Sequence, residues 1–264
     1  MKRNQHLKFV TPSGLTLLLA AVAMPATFAA DVPAKVPAVD PAATQILRRM
    51  TDYLGGLKQF SVYTQNTLED MLDGHRVDLD ASARAIISRP DKMLAEQKMG
   101  DEKEQVFYYN GKTLTVCNPA DKVYATEPAP GTIDETLHFV RDSLGLTVPV
   151  SDLLYTNAFS LLMKGVTLAT VEGKSVIGGV KCDHLLFSRP GVDFQVWVQD
   201  GGPPLPLKYV VTDTTTCLRP SFTTVLSDWN TAPAVPDGRF TFVPPQGAKQ
   251  IAFLPINKTS GSSR

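Results

Sequence analysis

The stretch from Gly178 to Asp213 constrains this chain most, because its pattern is that of a β-meander. It divides into Val180 to Phe187, Val192 to Gln199 and Leu205 to Thr212. In the middle segment Val192, Phe194, Val196 and Val198 alternate with Asp193, Gln195, Trp197 and Gln199. Successive side chains of a strand point to opposite faces, so this is a sheet with one dry and one wet face. Arg189-Pro190-Gly191 and Asp200-Gly201-Gly202-Pro203 supply the fixed or positive φ that chain reversal needs. Leu205, Leu207, Tyr209 and Val211 again share a face, and Pro203, Pro204 and Pro206 suit only a strand end or a sheet edge.

The chain before the meander reads as one helix and six strands. Asp40 caps a helix whose first position is Pro41 and whose stripe is Ile46, Leu47, Met50 and Leu54; Gly55-Gly56 ends it. Strands follow over Phe60 to Leu68, Arg76 to Ser88, Lys92 to Met99, Gln105 to Tyr109, Thr113 to Cys117 and Lys122 to Thr126. Val77, Leu79, Ala81, Ala83, Ala85 and Ile87 alternate strictly, and Asn110-Gly111 is a strong hairpin signal. Glu69-Asp70 and Asp101-Glu102 read as solvated carboxylates at turns.

The period then changes. Thr132 and Glu135 form a capping pair for a helix carrying Ile133, Leu137, Val140 and Leu144, closed by Gly145. Two short helical pieces carry Leu153-Leu154 and Phe159, Leu161, Leu162 and Met163. Strands resume at Thr167 to Val171, continue through the meander and end with Ser221 to Trp229.

The ends carry a different message. Lys2, Arg3 and Lys8 precede the apolar run Leu15 to Met24, and Thr27-Phe28-Ala29 offers small residues at a cleavage site. Residues 1–29 therefore read as a secretory signal peptide, 30–39 as a flexible leader and 255–264 as a disordered tail. The run is shorter than the ~20 residues a spanning helix needs, and no later segment is apolar enough to span. Removal of 29 of the 264 residues takes away three of the 26 basic side chains and none of the 26 acidic ones. The mature chain is mildly acidic, with no basic run for nucleic acid. Its Cys117, Cys182 and Cys217 allow at most one internal disulfide, with three pairings open, or three free thiols; none sits in a Cys-x-x-Cys pair.

No catalytic, metal or cofactor site is expected. Cys182 and His184 lie two apart on one strand, but no second ligand pair joins them. Asp183 and His184 lack a Gly-x-Ser-x-Gly elbow. His138 is expected at the surface of the helix after Thr132, and His75 beside a turn.

Two sets of residues resemble known families. Trp197-Val198-Gln199-Asp200 followed by Leu205-Pro206-Leu207-Lys208, with the closing Phe240-Thr241-Phe242-Val243-Pro244-Pro245-Gln246-Gly247-Ala248, is similar to LolA-like periplasmic lipoprotein carriers. Cys182-Asp183-His184-Leu185 and Ala129-Pro130-Gly131-Thr132-Ile133 resemble an exported bacterial family known only as a domain of unknown function. The resemblance implies a mainly antiparallel α+β fold over residues 40–254. That fold is an incomplete, half-open β-barrel of about eleven strands with an N-terminal helix and short plug or lid helices. It implies a soluble periplasmic protein without enzymatic activity, whose partner is an apolar ligand (a lipid or acyl chain) or, as the alternative, an envelope protein met by a sensor module. The carriers' gating arginine matches no single residue among Arg76, Arg84 and Arg89. The expected ligand wall is Phe194, Val196, Val198, Leu205, Leu207 and Tyr209 of the meander with Leu137, Val140, Phe159 and Leu162 of the helices. The same side chains would serve an ordinary packed core.

Overall fold

The computed structural model describes residues 38–100, 103–144, 148 and 150–253. The signal peptide, the leader up to residue 37, the Gly145 stop and the tail 255–264 lie outside them.

Helix α1, Pro41–Gly56, starts where the Asp40 carboxylate accepts from the Ala42 amide at 2.8 Å. Its Ala43, Leu47, Met50 and Leu54 recur every three or four residues and are buried. Each of the three larger ones contributes about 1.5–3 kcal/mol relative to exposure. Ala38 and Val39, the last residues expected in the flexible leader, are held against the sheet: the Ala169 amide donates to the Ala38 carbonyl at 2.8 Å.

Twelve strands form one sheet. The first six are β1 Gln59–Leu72, β2 His75–Ser88, β3 Lys92–Met99, β4 Lys103–Tyr109, β5 Thr113–Asn118 and β6 Val123–Pro128. The helical insert follows as α2 Ile133–Leu144, a 3-10 turn Ser151–Leu153 and α3 Ala158–Met163. Then come β7 Leu168–Ile177, β8 Val180–Arg189, β9 Val192–Gln199, β10 Pro206–Asp213, β11 Ser221–Asn230 and the two-residue β12 Lys249–Gln250. Spatial order is β12-β6-β5-β4-β3-β2-β1-β11-β10-β9-β8-β7. Every pairing is antiparallel except β12 with β6. Among the described residues β7 and β12 do not pair, so the sheet stays open and the fold is the expected half-open barrel.

Two meanders thus meet at β1 and β11, and both begin from local turn chemistry. At the β4–β5 corner the Asn110 side chain accepts from the Lys112 and Thr113 amides, and Gly111 takes φ 84°. A Cβ there would sit 2.8 Å from the Asp91 carboxylate, so both conformation and space require glycine.

The dry face holds two cores. Beneath α1, strands β7 to β11 bury Leu185, Phe187, Phe194, Val196, Tyr209 and Leu226. Beneath α2, strands β1 to β5 bury Phe60, Ile87, Met93, Tyr109 and Leu114 against Ile133, Leu137 and Val140. A third cluster joins Leu94, Val106 and Cys117 to Phe240 of the C-terminal segment, whose ring is fully buried. Those strand residues have the opposite parity to Met93 and Tyr109, so the C-terminal segment covers the other face of the sheet.

The first hairpin is longer than its alternation suggests. β1 and β2 pair from Gln59↔Ser88 out to Leu72↔His75, beyond the last partners on β3 and β11. Glu69 and Asp70 therefore lie in a strand and not at a turn. The Glu69 carboxylate accepts from the Ser221 amide and hydroxyl at 2.9 and 2.7 Å and pairs with Arg76.

Candidate ligand cavity

Residues directly opposite in antiparallel strands share a face, so the dry face can be read in rows. The innermost row is Phe60, Ile87, Met93, Tyr109 and Leu114; the next is Val62, Ala85, Ala95 and Phe107. The third is Leu226, Thr64, Ala83, Gln97 and Gln105, and the fourth includes Tyr209, Thr224, Asn66, Ala81 and Met99. Phe222, Leu68 and Leu79 make a fifth.

A cavity of about 80 Å³ lies over the first three rows. Its sheet wall includes Val62, Thr64, Ala83, Ala85, Ala95 and Gln97, and its roof Val140, Val148, Val150, Leu153 and Leu154. Trp229 and Leu226 close the side toward β11. Ala83, Ala85 and Ala95 face the roof where larger side chains would fill the space, and that accounts for the void. The wall is apolar except for Thr64 and Gln97, and such a site offers water few partners. The volume falls short of the ~300–1,000 Å³ of pockets that enclose a drug-sized ligand.

The segment from Val150 to α3, which forms much of the roof, is tied to the scaffold by side chains. Arg89, at the end of β2, donates from Nη2 to the Leu154 carbonyl at 2.7 Å. Burial holds its guanidinium below the usual arginine range, and Asp134 partly offsets this. Its Nε is buried without a hydrogen-bond partner among the described residues. Arg189, at the end of β8, donates to the Leu161 and Lys164 carbonyls at 3.3 and 3.4 Å, at the C-terminus of α3. Both arginines stand in a Ser-Arg-Pro tripeptide, 88–90 and 188–190, at equivalent hairpin corners. Asp134 of α2 accepts from the Thr156 amide and hydroxyl, and the rings of His138 and Tyr155 lie 4.9 Å apart.

Of the ten side chains expected on the ligand wall, Val140 lines this cavity. Phe194, Val196, Val198, Leu205, Leu207, Tyr209 and Leu162 pack in the core beneath α1, and Leu137 in the core beneath α2. Phe159 packs, partly buried, against the core beneath α1, with the Arg48 guanidinium 3.7 Å over its ring. Burial drives the Tyr209 phenol far above its ordinary pKa. The cavity residues from β1 to β3 were open to discovery through one signal, the run of alternating alanines in β2.

The remaining candidates have structural partners. His184 Nε2 lies 2.8 Å from Gln195 Oε1, and its ring stacks on Trp197 at 4.1 Å. Cys117 and Cys182 are buried free thiols, both pushed up chiefly by burial, and Cys217 is exposed and free. Among the described residues no three His, Cys, Asp or Glu side chains converge as a metal site, and no helix is long and apolar enough to cross a membrane.

A half-open antiparallel barrel with a helical plug over an apolar cavity is the architecture that fold and site define. The chain belongs to the family described as predicted periplasmic protein (DUF2092), whose model matches residues 43–254. No curated protein matches it. Among solved structures it is similar to LprF from Mycobacterium bovis, at 14% identity over 80% of this chain and 100% of that one, with a TM-score of 0.46. It is also similar to the lipoprotein LppX from Mycobacterium tuberculosis (19%, 75% and 100%, TM-score 0.43). A LolA superfamily protein from Nitrosomonas europaea gives 13% identity, 76% and 97% coverage and a TM-score of 0.37. Similarity at this level assigns this chain neither ligand nor partner.

Proposed function

We propose that this is an exported, non-enzymatic binder or carrier of a lipid-like apolar ligand in the bacterial envelope. The carrying observation is the alanine-walled cavity; farther along the same face of the sheet Leu68 is 42% exposed, Leu79 50% and Met99 40%. Three alanines in adjacent rows leave space beneath the roof that larger side chains would fill. Each methylene entering such a space gains roughly 0.8 kcal/mol. The closed volume admits only part of an acyl chain, so the rest of it lies along the uncovered rows.

Native mass spectrometry of the protein purified from the periplasm without detergent tests this. Excess mass that extracts into organic solvent as a lipid supports it. A bare chain that also takes up no added lipid overturns it.

One observation favours an envelope protein-interaction or sensor module instead. The hairpin tip and the adjacent β10–β11 loop expose Leu72 at 63% and Leu218 at 57%. In-cell crosslinking from that tip distinguishes the two, because a stable protein complex without bound lipid is expected only of the sensor.

A further inference from the structure

The β1–β2 hairpin projects past β11, and a groove of about 510 Å³ lies between it and the β10–β11 loop. Leu68, Phe222 and Val211 share one row of its floor, and Leu218 and Pro220 of the loop add to its lining. Leu68, Glu69, Asp70 and Met71 line it in succession. Consecutive strand residues point to opposite faces, so the groove follows the edge of β1 and not one face. That edge is free: among the described residues β11 pairs no farther along β1 than Leu68, while β2 continues to Leu72. The groove shares no lining residue with the cavity.

Its walls are fixed to each other. Arg76 Nη2 donates to the Leu218 carbonyl at 3.1 Å and pairs with Glu69 at 3.3 Å. The Glu69 carboxylate in turn holds the Ser221 amide and hydroxyl, and Arg219 pairs with Asp193 of β9 at 2.6 Å. A groove ordered in advance spares a ligand that cost. Its apolar rim stays open to solvent all the same, with Leu68, Met71 and Leu218 exposed.

Charge decides what fits. Residues 67–80 and 213–220 carry six acidic side chains and two basic ones, and both of those, Arg76 and Arg219, are already paired. Asp70 and Asp213 line the groove, Asp73 and Asp78 stand on the hairpin beside it, and none of the four has an ion-pair partner among the described residues. An anionic bilayer would be repelled here. A second copy docking through the same face would bring the same carboxylates. A peptide that joins apolar side chains to lysine or arginine satisfies the floor, the acidic rim and the free strand edge together.

Drawing on the protein-interaction reading and independent of the cavity, we propose that this groove docks an extended segment of a partner protein. Its apolar side chains lie on Leu68, Leu218 and Phe222, and its flanking lysine or arginine on Asp70 and Asp213.

Panning a display library of random peptides against the exported full chain tests this. Peptides with apolar residues flanked by lysine or arginine are expected to be enriched. Their affinity, read by fluorescence anisotropy, is expected to fall about tenfold with Leu218→Glu and about as much with Asp70→Lys. Both side chains are exposed, and melting temperatures confirm that the variants fold. Added salt should weaken binding as well, because exposed charges are screened. Enriched peptides that bind both variants as tightly as the unmodified chain overturn the groove assignment and leave the protein-interaction reading standing. Enriched peptides without basic residues overturn the chemistry assigned to the partner. Recovery of no peptide overturns groove and reading together. Leu218-dependent binding to vesicles of phosphatidylethanolamine and phosphatidylglycerol, or Leu218-dependent self-association in sedimentation velocity, in place of peptide binding assigns the groove to a bilayer or a second copy and overturns the proposal.

Discussion

Arg89 and Leu154 join the sheet to its plug: Nη2 of the arginine lies 2.7 Å from the leucine carbonyl, 65 residues along the chain. Leu154 also lines the cavity, so this bond holds part of the roof. Hydrogen bonds from charged donors contribute about 1.5–3 kcal/mol, and the buried, unpartnered Nε subtracts from that. Arg89→Ala is expected to cost about 1–2 kcal/mol in chemical denaturation. Amide hydrogen exchange over residues 150–158 is expected to quicken more than over β9 or β10. Arg89→Lys should recover only part of the protection, because a single ammonium replaces a planar fork.

The buried, hydrogen-bonded Thr64–Asn66–Thr224 chain predicts a non-additive mutant series. Asn66→Ala leaves the Thr224 hydroxyl without its acceptor and the Thr64 hydroxyl with only its 3.5 Å bond to the Ala83 carbonyl, at a cost of about 1–3 kcal/mol. Replacing all three by apolar residues of similar shape removes the unsatisfied groups together. The triple variant Thr64→Val, Asn66→Leu, Thr224→Val is expected to be more stable than Asn66→Ala in urea unfolding. Strict additivity across the series would show that the network is not a unit.

How much of this was legible beforehand follows from what each pattern encodes. Alternation in Arg76 to Ser88 and in the Gly178 to Asp213 meander located β2 and β8 to β10, because strand parity is written directly into side-chain polarity. The end of β1 was not legible. Glu69 and Asp70 look like turn residues until Ser221, 152 positions away, is known to bond the first of them. The cavity was hidden for another reason. Phe194, Val196 and Tyr209 are as apolar as a ligand wall demands, but α1 packs down on them. Alternation tells which face is dry and is silent on what covers it. The alanines of β2 carried the missing information, since a small side chain on a dry face leaves space unless its neighbours fill it.

Glu69 gives the hairpin a pH dependence. The Ser221 hydroxyl and amide, aided by Arg76, hold its carboxyl below the ordinary value of 4.5. A depressed carboxylate pKa adds stability that is fully present above the unfolded-state value and lost as pH falls through the folded one. Between pH 7 and 5 the contact of β1 with the start of β11 is therefore expected to be constant. Below about pH 4.5 it weakens, as hydrogen exchange at residues 68–72 and 221–223 would record. Glu69→Gln should flatten the profile.

The strongest test of a functional cavity sets stability against binding. Ala85 and Ala95 face each other across β2 and β3 and both line the void. Filling space of this kind commonly adds about 0.5–2 kcal/mol, because new dispersion contacts replace empty volume without disturbing the backbone. Ala85→Val and Ala95→Val are accordingly expected to raise the melting temperature of the bare protein. If the void exists for a ligand, the same variants should come from the periplasm with less co-purified lipid, and the double variant with least. Higher stability with unchanged lipid content would place the ligand elsewhere on the molecule. Lower stability would mean that the alanines are sized for packing against the roof, and the void would then be incidental to the fold.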